Sequence, residues 1–114
     1  MKIFFGSTFI NNETLREASV NHPIKLDYYK IINEDEVTKY QKAKFGIGVE
    51  KTEYIEKDIK KENKFINYLS NDEKKVDEIL KIFKENEVTP ISVADIISDL
   101  SAKTTIDMEF RGII

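Results

Sequence analysis

The apolar segments between residues 24 and 69 are joined by connections too short for a crossover helix, and this spacing most constrains the fold. Residues 24–28 and 43–49 alternate apolar and polar side chains, as half-buried strands do, and Ile31-Ile32 extends the first of these apolar stretches. Residues 52–59 and 64–69 are predicted as two more strands around a polar turn at 60–63. Since parallel neighbours need a connection of about a dozen residues or more, we predict an antiparallel meander.

Local features modify these strands. The pair Tyr28-Tyr29 shifts the alternation of its strand, which predicts a bulge or two covered faces. Gly46 and Gly48 leave one face of the next strand flat, so we expect a neighbour to pack closely over them. The apolar run from Ile3 to Ile10 is interpreted as a strand at the N-terminus.

Two short amphipathic helices follow the strands. The first is predicted to start at residues 70–73, where a capping residue precedes acidic residues, and to end near Asn86. The second is predicted to start at Ser92, with Asp95 three residues later in a pattern similar to a capping box. Each helix has one apolar stripe at helical spacing. The stripes are Val76, Ile79, Leu80 and Phe83, and then Val93, Ile96, Ile97 and Leu100.

These elements predict an α+β fold, in which an antiparallel meander of about four to five strands is packed by two short C-terminal helices. The length of 114 residues fits one domain, residues 1–114. The N-terminal segment 1–22 and the tail 102–114 have the least regular patterns. In the tail, alternation at residues 106–110 is consistent with a final edge strand.

Charge and apolar content limit the classes of partner. The net charge is -3, and residues 70–114 hold ten acidic side chains against six basic ones. Because phosphate binding needs clustered Lys and Arg, we expect no nucleic-acid partner. The N-terminal apolar run lacks the features of a signal peptide and is shorter than the ~20 residues that span a bilayer, so we expect a soluble, cytoplasmic protein without a membrane partner.

The residues that usually carry chemistry are scarce. The chain has no cysteine and one histidine, His22, which excludes thiolate sites and makes multi-histidine metal sites impossible on this chain. The segment 46–48 lacks the third glycine of a phosphate-binding loop. Asp95 and Asp99 are a possible carboxylate pair, but capping and solvation explain them more simply. The five tyrosines and seven phenylalanines are interpreted as core residues. We therefore expect no catalytic residue, no metal and no cofactor.

Three stretches resemble a family of small uncharacterised proteins from clostridia and related low-GC bacteria. They are residues 28–31 (YYKI), residues 45–50 (FGIGVE), and residues 88–91 (VTPI) leading to residues 95–99 (DIISD). The similarity covers residues 28–100. It implies a bacterial origin but supplies no activity and no catalytic residues.

The leading hypothesis is a non-enzymatic cytoplasmic module, a regulatory or adaptor protein that binds another protein. Its predicted contact surface consists of Thr89, Pro90, Asp95 and Asp99, where a rigid turn leads into the second helix. A free sheet edge is the next candidate. The alternatives are an inhibitor of a host nuclease, encoded by a phage or mobile element, and, third, a carboxylate-dependent enzyme. The pattern does not distinguish a monomer from a homodimer.

Overall fold

The computed structural model describes residues 1–10, 22–33 and 43–103, which form one antiparallel sheet and two helices. Four strands lie in the order β1-β2-β3-β4, each antiparallel to its neighbours. The predicted α+β meander is therefore confirmed. The elements are β1 (Lys2–Ile10), β2 (Ile24–Ile32), β3 (Phe45–Ile55), β4 (Asp58–Ser70), α1 (Glu73–Glu85), a 3-10 turn (Pro90–Ser92) and α2 (Val93–Lys103).

The hairpin between β3 and β4 turns earlier than predicted. Ile55 pairs with Asp58, so the turn is the dipeptide Glu56-Lys57, where Glu56 has a positive φ of 23°. Residues 60–63, predicted as the turn, lie within β4 instead. Their charges pair across the hairpin with those of β3, which stabilises this polar segment as a strand. The predicted strands 52–59 and 64–69 are accordingly wrong, because residues 52–55 continue the strand predicted at 43–49 as β3, and residues 58–70 form β4.

The strand pairing of the described residues has two register shifts. The register of β1 shifts at Phe5, because Phe4 pairs with Tyr29 and Gly6 pairs with Tyr28. The bulge predicted for the strand of Tyr28 therefore lies in its neighbour. The second shift lies between β3 and β4 beside Gly46.

The core lies between one side of the sheet and the two helices. The predicted stripe of α1 is confirmed, since its four apolar residues are buried, Leu80 and Phe83 completely. The predicted helix ends are also confirmed. The Asp72 side chain accepts hydrogen bonds from two backbone amides of the first turn, and Asn86 is the C-cap residue.

A 3-10 turn leads directly into helix α2. Thr89 is the N-cap residue of this turn, and the α-helix follows directly at Val93, one residue after the predicted start at Ser92. Val93 and Ile97 are buried, and Ile96 and Leu100 pack partly against the core, as the stripe predicts.

Hydrogen bonds and ion pairs tie the helical segment to β2. The hydroxyl of buried Tyr28 donates to the carbonyl oxygen of Val88 at 3.0 Å and so fixes the connection between α1 and α2. Desolvation by burial raises the pKa of Tyr28, and the nearby charge of Glu87 raises it further, so this hydroxyl stays protonated. The Lys30 ammonium lies 2.8 Å and 3.0 Å from two carboxylates of α1.

The close packing predicted over the glycines of β3 is confirmed. A Cβ on Gly48 would lie 2.3 Å from the ring of Phe65, and one on Gly46 would lie 2.2 Å from a carbonyl oxygen of β4. The flat face of β3 is therefore filled by an aromatic ring and by backbone.

Among the described residues, no helix is long and apolar enough to cross a membrane. The strand predicted at residues 106–110 lies outside the described residues.

Candidate interaction surfaces

In the described part of the chain, the side of the sheet opposite the helices carries a group of aromatic side chains, which we call the aromatic face. Its members are Phe4, Phe9, Tyr29, Tyr54 and Phe65. Their relative exposure reaches 57% at Phe4 and 61% at Phe9. The interpretation of the aromatic residues as core is therefore wrong for this group, because the strand alternation turns these side chains away from the helices.

The bulge in β1 is responsible for one part of this arrangement. Phe4 and Phe9 are five residues apart, so a regular strand would place them on opposite faces. The extra residue, Phe5, shifts the alternation by one position and directs its own side chain toward the core instead. Both exposed phenylalanines consequently lie on the aromatic face.

The aromatic rings contact one another across the strands. Phe4 meets Tyr29 edge to face with ring centroids 5.9 Å apart, and Phe9 stacks on Tyr54 at 6.4 Å. The Lys2 ammonium lies 4.5 Å from the ring centroid of Tyr29 and 5.5 Å from that of Phe65, within cation–π range. The face is therefore organised before any partner binds.

Carboxylates in the middle of this face give it a mixed charge. Asp27 is 7% exposed, accepts a hydrogen bond from the Ser7 hydroxyl at 2.6 Å and lies 3.6 Å from the Lys25 ammonium. Partial burial, with the negative charges of Asp27 and Glu50, raises the pKa of Tyr29. Lys61 lies 3.5 Å from Glu50, and Lys2 lies over the rings, so lysines and carboxylates are interleaved with the aromatic side chains of this face.

A group of charged side chains lies near the β3–β4 hairpin. Glu53 lies 3.0 Å from the Lys51 ammonium and 3.1 Å from Nε2 of His22, and Lys51 also lies 3.4 Å from Glu62. The hydrogen bond from Lys51 lowers the pKa of Glu53 below its ordinary value, and His22 contributes to the same shift. His22 thus links the start of β2 to β3. Lys51, Glu53 and Glu62 each face an opposite charge, as in a structural ion-pair network.

The residues that the structure describes offer little chemistry beyond these pairs. They contain no group of three or more His, Cys, Asp or Glu side chains that could hold a metal ion. Two concavities, one at the tip of the β3–β4 hairpin and one between α1 and β1, are shallow and open. Neither resembles the enclosed pocket with convergent ionisable groups that an active site requires.

The predicted contact residues near α2 have different accessibilities. Asp95 and Asp99 are exposed one helical turn apart, Thr89 is half-buried, and Pro90 is buried. Ile91, which belongs to the same predicted lead-in to the second helix but is not one of the four predicted contact residues, is 85% exposed beside them. The structure does not bring the four predicted residues together as one exposed patch. The accessible part is the α2 surface, which we define as Ile91, Asp95 and Asp99.

Sequence reasoning did not identify the aromatic face. The signal that would have found it is the pair of glycines in β3, since a flat strand surface accommodates large rings from neighbouring strands. The exposure of Phe4 and Phe9 on one face depends on the bulge at Phe5, which no sequence pattern in β1 predicts.

Comparison with known proteins identifies a family. No curated protein and no solved structure matches the chain. A family model described as a family of unknown function, DUF6514, matches residues 7–103, from within β1 to the end of α2. This match extends beyond the segment 28–100 on which the sequence resemblance rests. The chain therefore belongs to the family of unknown function DUF6514.

Proposed function

We propose that the chain is a non-enzymatic protein-interaction module of the bacterial cytoplasm, a regulatory or adaptor protein whose main binding surface is the aromatic face. The observation that carries this proposal is the exposure of Phe4 and Phe9 beside partly buried aromatic neighbours. Exposed apolar patches on soluble domains commonly mark protein-binding sites.

The composition of the face supports a protein partner. Aromatic side chains are enriched at the centres of protein interfaces, because they bury a large area and lose little rotamer entropy. Phe4 and Phe9 are already in contact with Tyr29 and Tyr54, so binding has few side chains left to order.

The α2 surface is a second candidate for the same function. Ile91 offers an apolar side chain, and Asp95 and Asp99 offer two carboxylates that could pair with Arg or Lys of a partner. This surface lies on the helical layer, whereas the aromatic face lies on the other side of the sheet. Variants on each can therefore be tested separately.

The experiment compares three forms of the full chain. Affinity capture from the native host with mass spectrometry identifies a protein, which is then purified and titrated against wild type, a Phe4→Thr/Phe9→Thr variant and an Asp95→Asn/Asp99→Lys variant. Threonine keeps the strand propensity and removes the rings. We expect the aromatic-face variant to bind at least about tenfold more weakly.

Three outcomes would contradict this assignment. Loss of binding only in the Asp95→Asn/Asp99→Lys variant would move the site to the α2 surface. Unchanged affinity in both variants would reject both surfaces. Binding of a single-stranded oligonucleotide that depends on Phe4 and Phe9 would replace the protein partner with a nucleic acid.

A further inference from the structure

The two edge strands of the sheet differ in charge. β1 has one charged side chain, Lys2, among its nine residues, whereas residues 58–64 of β4 have five. Charged side chains on an edge strand oppose pairing with another chain. We infer that β1 accepts an extended segment of the partner protein as an added strand, with acidic side chains toward α1 and apolar side chains toward the aromatic face. This inference rests on the proposed function and adds the partner's chemistry to it.

The hydrogen-bonding pattern of β1 is the one that strand addition requires. Met1 and Ile32 exchange both backbone hydrogen bonds, at 2.7 Å and 2.8 Å. Since hydrogen-bonded and non-hydrogen-bonded pairs alternate along an antiparallel ladder, every second residue of β1 directs its N–H and C=O away from β2. With the shift at the bulge, the outward residues are Lys2, Phe4, Ser7 and Phe9.

Lysine side chains line the α1 side of this edge. The Lys84 side chain lies alongside Gly6, 3.2 Å from the position that a Cβ would occupy. Lys81 and Phe5 line the shallow concavity between α1 and β1. Lys30 lines the same concavity but is held by two carboxylates of α1. Asp77 and Glu78 line this concavity as well, and Asp77 is paired with Lys30. Within the described ranges, no ion pair joins Lys81 or Lys84 to a carboxylate, so an acidic side chain placed beside Gly6 would meet the positive charge of Lys84.

The opposite side of the edge is apolar. Side chains on neighbouring strands lie about 4.5–5.5 Å apart at Cβ, so a strand beside β1 places alternate side chains against Phe4 and Phe9. An apolar residue at each of these positions would cover rings that are 57% and 61% exposed. Acidic and apolar side chains therefore alternate in the segment that fits this edge.

A second copy of the chain fits the edge less well. Pairing two β1 strands around a two-fold axis would bring the Lys84 side chains of both copies toward each other on the α1 side. Like charges facing across a new strand pair are destabilising. A partner segment with carboxylates on that side has the complementary charge.

The side-chain pattern is tested with synthetic peptides as probes. A peptide of nine residues, the length of β1, alternates valine with glutamate, and its control alternates valine with lysine. Fluorescence anisotropy with the full chain should show at least about tenfold tighter binding of the glutamate peptide. A Lys81→Glu/Lys84→Glu variant should reverse the preference, whereas Lys60→Glu on β4 should leave it unchanged. Equal affinity for the two peptides, or no binding of either, would overturn the inference.

The backbone pairing is tested by amide hydrogen exchange with the glutamate peptide bound. The outward amides of Phe4, Ser7 and Phe9 should exchange at least about tenfold more slowly than in the free chain, and those of Ile3 and Thr8, which face β2, should change little. Unchanged outward amides would reject strand addition and leave the proposed function standing, since that depends on the aromatic rings.

Two further outcomes would assign the edge to another occupant. Slow exchange of the outward amides in the free chain, together with a concentration-dependent dimer, would identify a second copy. Slow exchange that is lost when residues 104–114 are removed would identify the C-terminal segment of the chain itself.

Discussion

Replacing the strand glycines with alanine tests how closely neighbouring strands and the first helix pack around them. A Cβ at Gly48 would lie 2.3 Å from the Phe65 ring, and one at Gly46 would lie 2.2 Å from a backbone carbonyl oxygen. At Gly6 the nearest atom, at 3.2 Å, belongs to the flexible side chain of Lys84. None of these glycines has a positive φ, so space rather than backbone conformation decides the effect.

The expected changes in unfolding free energy depend on which atoms must move to admit the new Cβ. Gly46→Ala requires the backbone of β4 to shift and should cost about 3 kcal/mol or more of unfolding free energy. Gly48→Ala should cost about 1–2 kcal/mol, because the Phe65 ring can rotate away but loses its packing. Gly6→Ala should lie within about 0.5 kcal/mol of wild type or be slightly stabilising, because alanine restricts the unfolded chain.

Denaturant unfolding of the three variants gives this order directly. A double-mutant cycle with Phe65→Ala isolates the cause at Gly48. Without the ring, Gly48→Ala should stabilise the chain by about 0.4–1 kcal/mol, as expected for an unobstructed glycine. The same cost of Gly48→Ala in both backgrounds would refute the packing of Phe65 on Gly48. Equal costs of Gly6→Ala and Gly46→Ala would refute the expectation that a flexible side chain yields more easily than backbone.

Other contacts of the core and the hairpin give further predictions. Leu80→Ala should cost about 2–5 kcal/mol in denaturant unfolding and exposed Lys81→Ala less than about 0.5 kcal/mol, and equal small effects would show that the stripe is not buried. Tyr28→Phe should cost about 1–3 kcal/mol, because the Val88 carbonyl loses its donor, and an unchanged melt would contradict that hydrogen bond. The folded-state pKa of Glu53 is below its ordinary value of 4.5, so its contribution to stability is present above pH 4.5 and is lost as pH falls through the folded pKa. Unfolding measured between pH 7 and pH 3 should show a weaker acid dependence for Glu53→Gln, and identical profiles would reject the ion pair.

The elements that the sequence predicted well depend on local patterns. The stripe of α1 and its Asp72 and Asn86 ends follow from helical spacing and capping within one segment. The close packing over the glycines of β3 follows from their missing side chains, although the identity of the covering ring does not.

The elements that the sequence did not predict depend on contacts between distant segments. The turn at Glu56-Lys57 has none of the residues that usually mark a two-residue hairpin, and residues 60–63 become strand because their charges meet those of β3. The aromatic face depends on which side of the sheet the helices cover and on the bulge at Phe5. Neither is determined by the residues of β1 alone.

The accessible surface near α2 was predicted only in part. The exposure of Asp95 and Asp99 follows from their position opposite the apolar stripe. The burial of Pro90 does not follow from the sequence, because it depends on how the 3-10 turn packs against β3 and β4.

The charges along β4 set the stoichiometry of strand addition. Residues 58–64 of β4 oppose pairing, and the uncharged remainder of that edge, residues 65–70, is shorter than the nine residues of β1, so we expect a chain that binds through β1 to have a valence of one. Such a chain cannot bridge two copies of its partner. It also cannot bind a third molecule by strand addition at the opposite edge of its sheet. Mixtures of chain and partner should therefore stop at discrete complexes of one chain for each bound segment. The proposed module would then act by occupying a segment of its partner and withholding it from other binders.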